Sequence, residues 1–187
     1  MQKHVRRVKI PTQQSLEASA LYYLGRFASS EKSLRRILEN KLRRAAMHSP
    51  EFAADHVAQK SLRIAIDAII IKHRRLGALN DAAYAAMKTT NLRRAGKSAR
   101  AIRQKLAQKG ITETTALQAL THNENELDSE AAELKAAQEF ARRRKLGSFR
   151  KKNADTLIHK KELAAMARAG FSFNVARQAL ADFSEDE

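Results

Sequence analysis

The chain has 187 residues and a mass of 21.0 kDa, enough for one ordinary domain or a few small units. Lys and Arg number 36 against 20 Asp and Glu, a formal charge of +16, and a hydrophobic content of 43% excludes wholesale disorder. The lack of Cys excludes disulfides, thiolate catalysis and Cys-based zinc sites, while 2 Pro and 6 Gly argue against a turn-rich β fold.

Residues 1–12 read as an N-terminal tail. Met1 to Lys9 is basic, but Ile10-Pro11-Thr12 follows where a signal peptide would need its apolar core. The longest apolar stretch, Ala65 to Ile71, is interrupted by Asp67 and falls far short of the ~20 residues of a spanning helix. A cytoplasmic chain with no membrane partner is the expectation.

Helices are expected near 13–27 and 30–44, then over 50–76 with a break near 60. Ser49-Pro50-Glu51 supplies a cap, a proline in the first turn and a first-turn acid. Leu62, Ile66, Ile69 and His73 fall at i, i+4, i+7 and i+11, so His73 continues an apolar stripe and is read as a core residue rather than a ligand. Further helices are expected near 80–95, 98–109, 113–121, 125–146, 154–169 and 173–182. Thr112 and Ser172 read as caps, and Asn123 with Glu126 as a capping box. Gly77, Gly96, Gly110, Gly147 and Gly170 each follow a periodic run and are read as left-handed helix ends. Tyr22, Tyr23, Phe27, Tyr84 and Phe140 lie within helical stripes and are read as core, which leaves no stacking platform for bases.

The pattern repeats. Gly110-Ile111 and Gly170-Phe171 are each followed, seven residues after the apolar residue, by Gln-Ala-Leu (118–120 and 178–180), and Leu106 matches Met166 at the same offset. A looser copy begins at Ser30 with Leu34, Ile37 and Leu38 apolar. The expected fold is therefore all-α: an elongated array of three tandem three-helix repeats. The boundaries are 13–77 for the first repeat, with an insertion near 45–60, 78–121 for the central repeat, and 122–187 for the third with an acidic C-terminal tail.

Nothing in the chain assembles a nucleophile, a base and an orienting group, so no enzyme and no cofactor are expected. Gly96-Lys97-Ser98 resembles the end of a phosphate loop, but Asn91 stands where the first glycine is required. The six histidines show no metal-ligand spacing. The acids at Glu124, Glu126, Asp128 and Glu130, and the cations from Arg142 to Lys145, complement the dipole of the helix between them. Residues 1–60 carry a net +7, from 12 cations and 5 acids, whereas the 12 cations and 12 acids of 121–187 cancel. Positive charge therefore concentrates in the first two thirds, which points to a polyanion or an acidic partner.

The helix Ser98 to Lys109 is the most informative element. Ala99, Ile102 and Leu106 share one side, Lys97, Arg100, Gln104 and Gln108 the other, with Arg103 and Lys105 on the flanks. Arg93, Arg94, Lys97, Arg100, Arg103 and Lys109 are the candidate contact surface, on the ground of charge and outward placement. Arg150-Lys151-Lys152 reads as a second basic segment, in a linker.

The run Leu79-Asn80-Asp81-Ala82-Ala83-Tyr84-Ala85, followed by Ala101-Ile102-Arg103-Gln104-Lys105-Leu106-Ala107-Gln108-Lys109-Gly110-Ile111, resembles the central repeat of the RecX family of bacterial regulators. Ser30-Glu31 with Leu34-Arg35-Arg36 resembles that family's opening unit, and Ala169-Gly170-Phe171-Ser172-Phe173 its closing one. The resemblance implies a non-enzymatic partner of the RecA recombinase–DNA filament that lowers strand exchange, ATP hydrolysis and coprotease activity; separately, a monomer is expected. The competing reading is a basic helix-turn-helix-like protein that binds single- or double-stranded DNA without recombinase specificity.

Overall fold

A computed structural model describes residues 9–123, 129–150 and 156–181. Among them the fold is all-α, with ten α-helices and one short 3-10 turn. The helices are α1 (Gln13–Leu24), α2 (Glu31–His48), α3 (Pro50–Ala54), α4 (His56–Arg75), α5 (Asp81–Arg94), α6 (Ala99–Gln108), α7 (Glu113–Asn123), α8 (Ser129–Arg144), α9 (Thr156–Arg168) and α10 (Phe173–Leu180). The 3-10 turn spans Gly147–Phe149. The basic residues of 1–8, the acids Glu124, Glu126 and Asp128, the side chain of Asn123, Lys151-Lys152 and the acidic tail from 182 onward lie outside the described residues.

Two compact units divide the chain, Met1–Tyr84 and Ala85–Glu187. In the first, α2 packs along α4, with α1 against both. Leu34, Leu38, Leu42 and Ala45 of α2 meet Ile66, Ile69 and Ile70 of α4, and Leu16 and Ala20 of α1 join them. Phe52 on α3 is buried in the same core, so residues 50–54 fold back onto it. The start of α4 lies at Asp55, not near 60, because the Asp55 carboxylate accepts a hydrogen bond of 2.8 Å from the Ala58 N–H. Asp was an unread N-cap there. The Ser30 and Ser49 hydroxyls cap α2 and α3 in the same manner, and the Asp81 carboxylate accepts from the Glu31 N–H at 2.9 Å.

His73 is buried as its place in the stripe requires, with Nε2 3.4 Å from the Glu17 carboxylate. Two of the aromatics read as core are not: Tyr22 is 65% and Phe27 54% exposed. Tyr22 lies on the solvent side of α1, under the Arg26 guanidinium at 4.8 Å, and Phe27 follows the helix end with its ring 5.2 Å from Tyr23. Tyr84 and Phe140 are buried; burial first, then Tyr23 and Asp81, push the Tyr84 phenol up.

In the second unit α10 packs on α8, and α9 closes over α10. Phe140 meets Phe171 edge to face at 5.7 Å amid Ala136, Ala137, Met166, Val175 and Ala179. The 60-residue repetition reappears as one hydrogen-bonding device used twice. Gly110 and Gly170 have φ of +84° and +94°. At each, the following N–H reaches back five residues, Ile111 to the Leu106 carbonyl at 3.1 Å and Phe171 to that of Met166 at 3.2 Å. Thr112 and Ser172 then accept from the Thr115 and Val175 N–H groups to start the next helix.

The end of α8 departs from the expectation. Lys145 already takes a left-handed conformation, with φ +54°, where α8 ends, and Gly147 is left-handed two residues later at φ +56°, while the Leu146 N–H bonds the Ala141 carbonyl at 2.9 Å. An L side chain there costs about 1 kcal/mol, which glycine avoids. Lys145→Gly is expected to raise stability by about 1 kcal/mol, read as a higher denaturant midpoint at unchanged slope.

Candidate nucleic-acid or nucleoprotein interface

The turn from α5 into α6 builds the candidate surface. Gly96, at φ +70°, ends α5, and the Lys97 N–H returns to the Leu92 carbonyl at 3.0 Å. Ser98 then starts α6: its hydroxyl accepts from the Ala101 N–H at 3.2 Å and donates to the Ala169 carbonyl at 2.7 Å. Gly96-Lys97-Ser98 is thus a helix stop followed by a helix cap. The first N–H of α6, on Ala99, donates to both Glu133 carboxylate oxygens at 3.2 and 3.0 Å, so a protein carboxylate holds the place an anion would take.

Arg93, one of the six candidate cations, meets that same carboxylate. Its side chain is 9% exposed, and its guanidinium lies 2.5 Å from Glu133, itself 18% exposed. The pair is a part-buried clamp between α5, α6 and α8, and the Arg93 guanidinium also donates to the Lys97 carbonyl at 3.3 Å. Arg94 and Arg100 are exposed; Lys97 and Lys109 are half-buried. Arg103 is half-exposed and pairs with Glu113 at 2.9 Å. Ile102 and Leu106 are fully buried, with Arg100, Gln104, Lys105 and Gln108 exposed, so α6 has the two-sided character its spacing predicts.

Spacing alone did not place Arg143 here. It donates to the Arg94 carbonyl at 3.2 Å, bringing the end of α8 beside the end of α5. Arg142 and Arg143 both grip Glu139, at 2.9 and 2.5 Å. Hydrogen bonds from these two arginines hold the Glu139 carboxyl at about 2, against an ordinary 4.5. A folded value below the unfolded one means stabilisation that is complete above pH 4.5 and is lost as pH falls toward about 2. Glu139→Gln should therefore flatten the stability–pH curve across that interval, and acid titration monitored by circular dichroism checks it.

Arg150 of the second basic segment is also engaged. It forks onto the buried Glu162 carboxylate, which in turn accepts from the Gly147 N–H at 3.3 Å. Among the described residues, no three His, Asp or Glu come together as a metal site would require, and no helix is long and apolar enough to cross a membrane.

Among the described residues the chain is therefore a basic, all-helical protein whose helix-turn-helix corners repeat, with exposed cations on several helices, Arg94 and Arg100 at the α5–α6 corner among them. Residues 80–120 match the family model described as RecX, second three-helix domain. The chain is 35% identical over 167 residues to the "Regulatory protein RecX" of Myxococcus xanthus (strain DK1622), covering 88% of this chain and 83% of that one. To the protein of the same name from Agrobacterium fabrum (strain C58) it is 32% identical over 168 residues, 90% and 83% of the two chains. The fold is similar to the crystal structure of RecX from Lactobacillus salivarius, with a TM-score of 0.61 at 19% identity, covering 89% and 93% of the chains. A second crystal structure of regulatory protein RecX gives 0.65 at 23% identity, covering 89% and 72%. The chain belongs to the RecX family of regulatory proteins.

Proposed function

We propose that this chain binds the RecA recombinase–DNA filament as a monomer in the cytoplasm and lowers its recombinase, ATPase and coprotease activities. The observation that carries this reading is the identity of about one residue in three, along four fifths of their length, with proteins named Regulatory protein RecX. In the same reading the chain is organised as three-helix repeats over 13–77, 78–121 and 122–187, with 1–12 as a tail.

Arg94, Lys97, Arg100, Arg103 and Lys109 form the contact surface of the central repeat, and Arg143 extends it. Arg93 supports that surface from within through Glu133. Exposed cations spaced along α6 suit a row of phosphates or carboxylates, and contacts from several repeats reinforce one another through effective concentration.

Titrating the chain into a DNA-dependent RecA ATPase assay tests the reading: hydrolysis should fall as protein is added. The variant Arg100→Glu/Arg103→Glu should need about tenfold more protein for half-inhibition, at unchanged helicity. Unchanged ATPase with native protein would remove the filament reading. Equal affinity for bare DNA and for the recombinase-coated strand, with a steep loss in salt, would favour the plain DNA-binding reading instead.

A further inference from the structure

A second candidate surface lies within the first unit, on α4. Helix α4 buries one apolar stripe in the core, yet it carries another on its opposite side. Val57, Ile64, Ala68 and Ile71 fall at i, i+7, i+11 and i+14, within about 20° to 40° of one line along the helix. All four are exposed, Val57 at 81% and Ile64 at 60%. A solvated helix face is ordinarily polar, and scattered apolar residues do not keep helical register over four turns. Beside Ala68 the stripe opens into a groove of about 590 Å³ between α1 and α4, floored by Ile69 and walled by Ala18 and Leu21. Leu21 is itself exposed, so the groove is open to an incoming side chain.

Charge around the stripe is mostly positive, with Asp55 engaged as the cap of α4. α4 carries Lys60, Arg63, Lys72, Arg74 and Arg75 against the single acid Asp67. Asp67 is engaged by Arg35 at 2.5 Å, and the groove's one carboxylate, Glu17, is engaged by Lys72 at 2.7 Å. Lys60 and Arg75 stand on the same outward side as Val57 and Ile64, one near each end of the stripe. An occupant that matches this surface offers apolar side chains at helical spacing and carboxylates at both ends.

We propose that the α1–α4 face is a docking site for an acidic amphipathic helix of a partner protein, its apolar side chains on Val57, Ile64, Ala68 and Ile71 and in the groove beside Leu21, its carboxylates on Lys60 and Arg75. The stripe is about 21 Å long, so it accepts a helix of about four turns. This proposal shares no residue with the α5–α6 surface and stands whether or not the filament reading holds.

The test uses the full chain and a fluorescein-labelled 18-residue peptide with Leu at helical i, i+3, i+4, i+7 spacing and Glu elsewhere. Anisotropy should show binding about tenfold or more tighter than for the same peptide with Lys in place of Glu, or with the Leu positions scrambled. Ile64→Glu/Ile71→Glu should weaken binding about tenfold, and Lys60→Glu/Arg75→Glu about fivefold with loss of its salt dependence. Both pairs are exposed, so thermal unfolding should show native-like transitions. The Arg100→Glu/Arg103→Glu variant should bind the peptide normally. Equal binding of the Lys peptide, or no loss in either α4 variant, overturns the proposal. So does a stronger Ile64-dependent affinity for phosphatidylglycerol vesicles or oligo-dT. A concentration-dependent dimer that Ile64→Glu/Ile71→Glu disperses would overturn it in favour of a second copy of this chain.

Discussion

Replacing Glu133 by alanine is expected to destabilise the second unit by about 2 kcal/mol, because a part-buried carboxylate that serves two donors is lost. Its carboxylate serves two masters that the sequence keeps far apart. It neutralises Arg93, 40 residues away and almost wholly buried, and it receives the Ala99 N–H at the start of α6. Truncation removes the carboxylate from the Arg93 guanidinium, which keeps its hydrogen bond to the Lys97 carbonyl at 3.3 Å, and it takes the acceptor from the Ala99 N–H at the helix start. Removing both partners in an apolar exchange, Arg93→Met/Glu133→Leu, should recover more than half of the loss, because no buried charge is then stranded. Urea unfolding of the single and double variants measures the difference. A Glu133→Ala protein with a native midpoint would show that the clamp contributes nothing.

Gly96→Ala should be at least as damaging, and Gly77→Ala the control that explains why. Both glycines have φ near +70°, where any L residue costs about 1 kcal/mol. At Gly77 an added Cβ meets nothing within 4 Å, so the backbone cost is the whole effect. At Gly96 it would stand 2.6 Å from the Phe140 amide nitrogen and 3.1 Å from the Ala136 carbonyl oxygen. Those are backbone atoms of α8 and cannot rotate away, so α5 and α8 must separate. The expected loss is about 3 kcal/mol or more for Gly96→Ala against about 1 kcal/mol for Gly77→Ala. Equal losses would mean that α8 yields at that contact.

Helix positions were legible because their signals are local. Ser30, Ser49-Pro50, Ser98 and Ser172 cap helices within three residues of themselves, and Gly96, Gly110 and Gly170 end them by their own φ. Asp55 carried the same signal unread, and Lys145 carried none, since lysine has no preference for the left-handed region. The candidate surface was legible only in part. The periodicity of α6 correctly separated Ile102 and Leu106 from Arg100 and Gln104. It could not show that Arg93 turns inward to Glu133 or that Arg143 arrives beside Arg94, because both depend on contacts 40 and 49 residues apart. Tyr22 and Phe27 failed for a related reason: an aromatic on a helical stripe is buried only if a neighbouring element covers that stripe.

The reach of Glu133 across 34 residues to the Ala99 amide also orders events during synthesis. A ribosome makes α5 and α6 before α8, so the middle copy is completed before the carboxylate that meets Arg93 and the Ala99 N–H exists. The corner has its local fastenings, the Ser98 cap and the Lys97–Leu92 bond, as soon as it is made, and gains the Glu133 contacts only once α8 has followed.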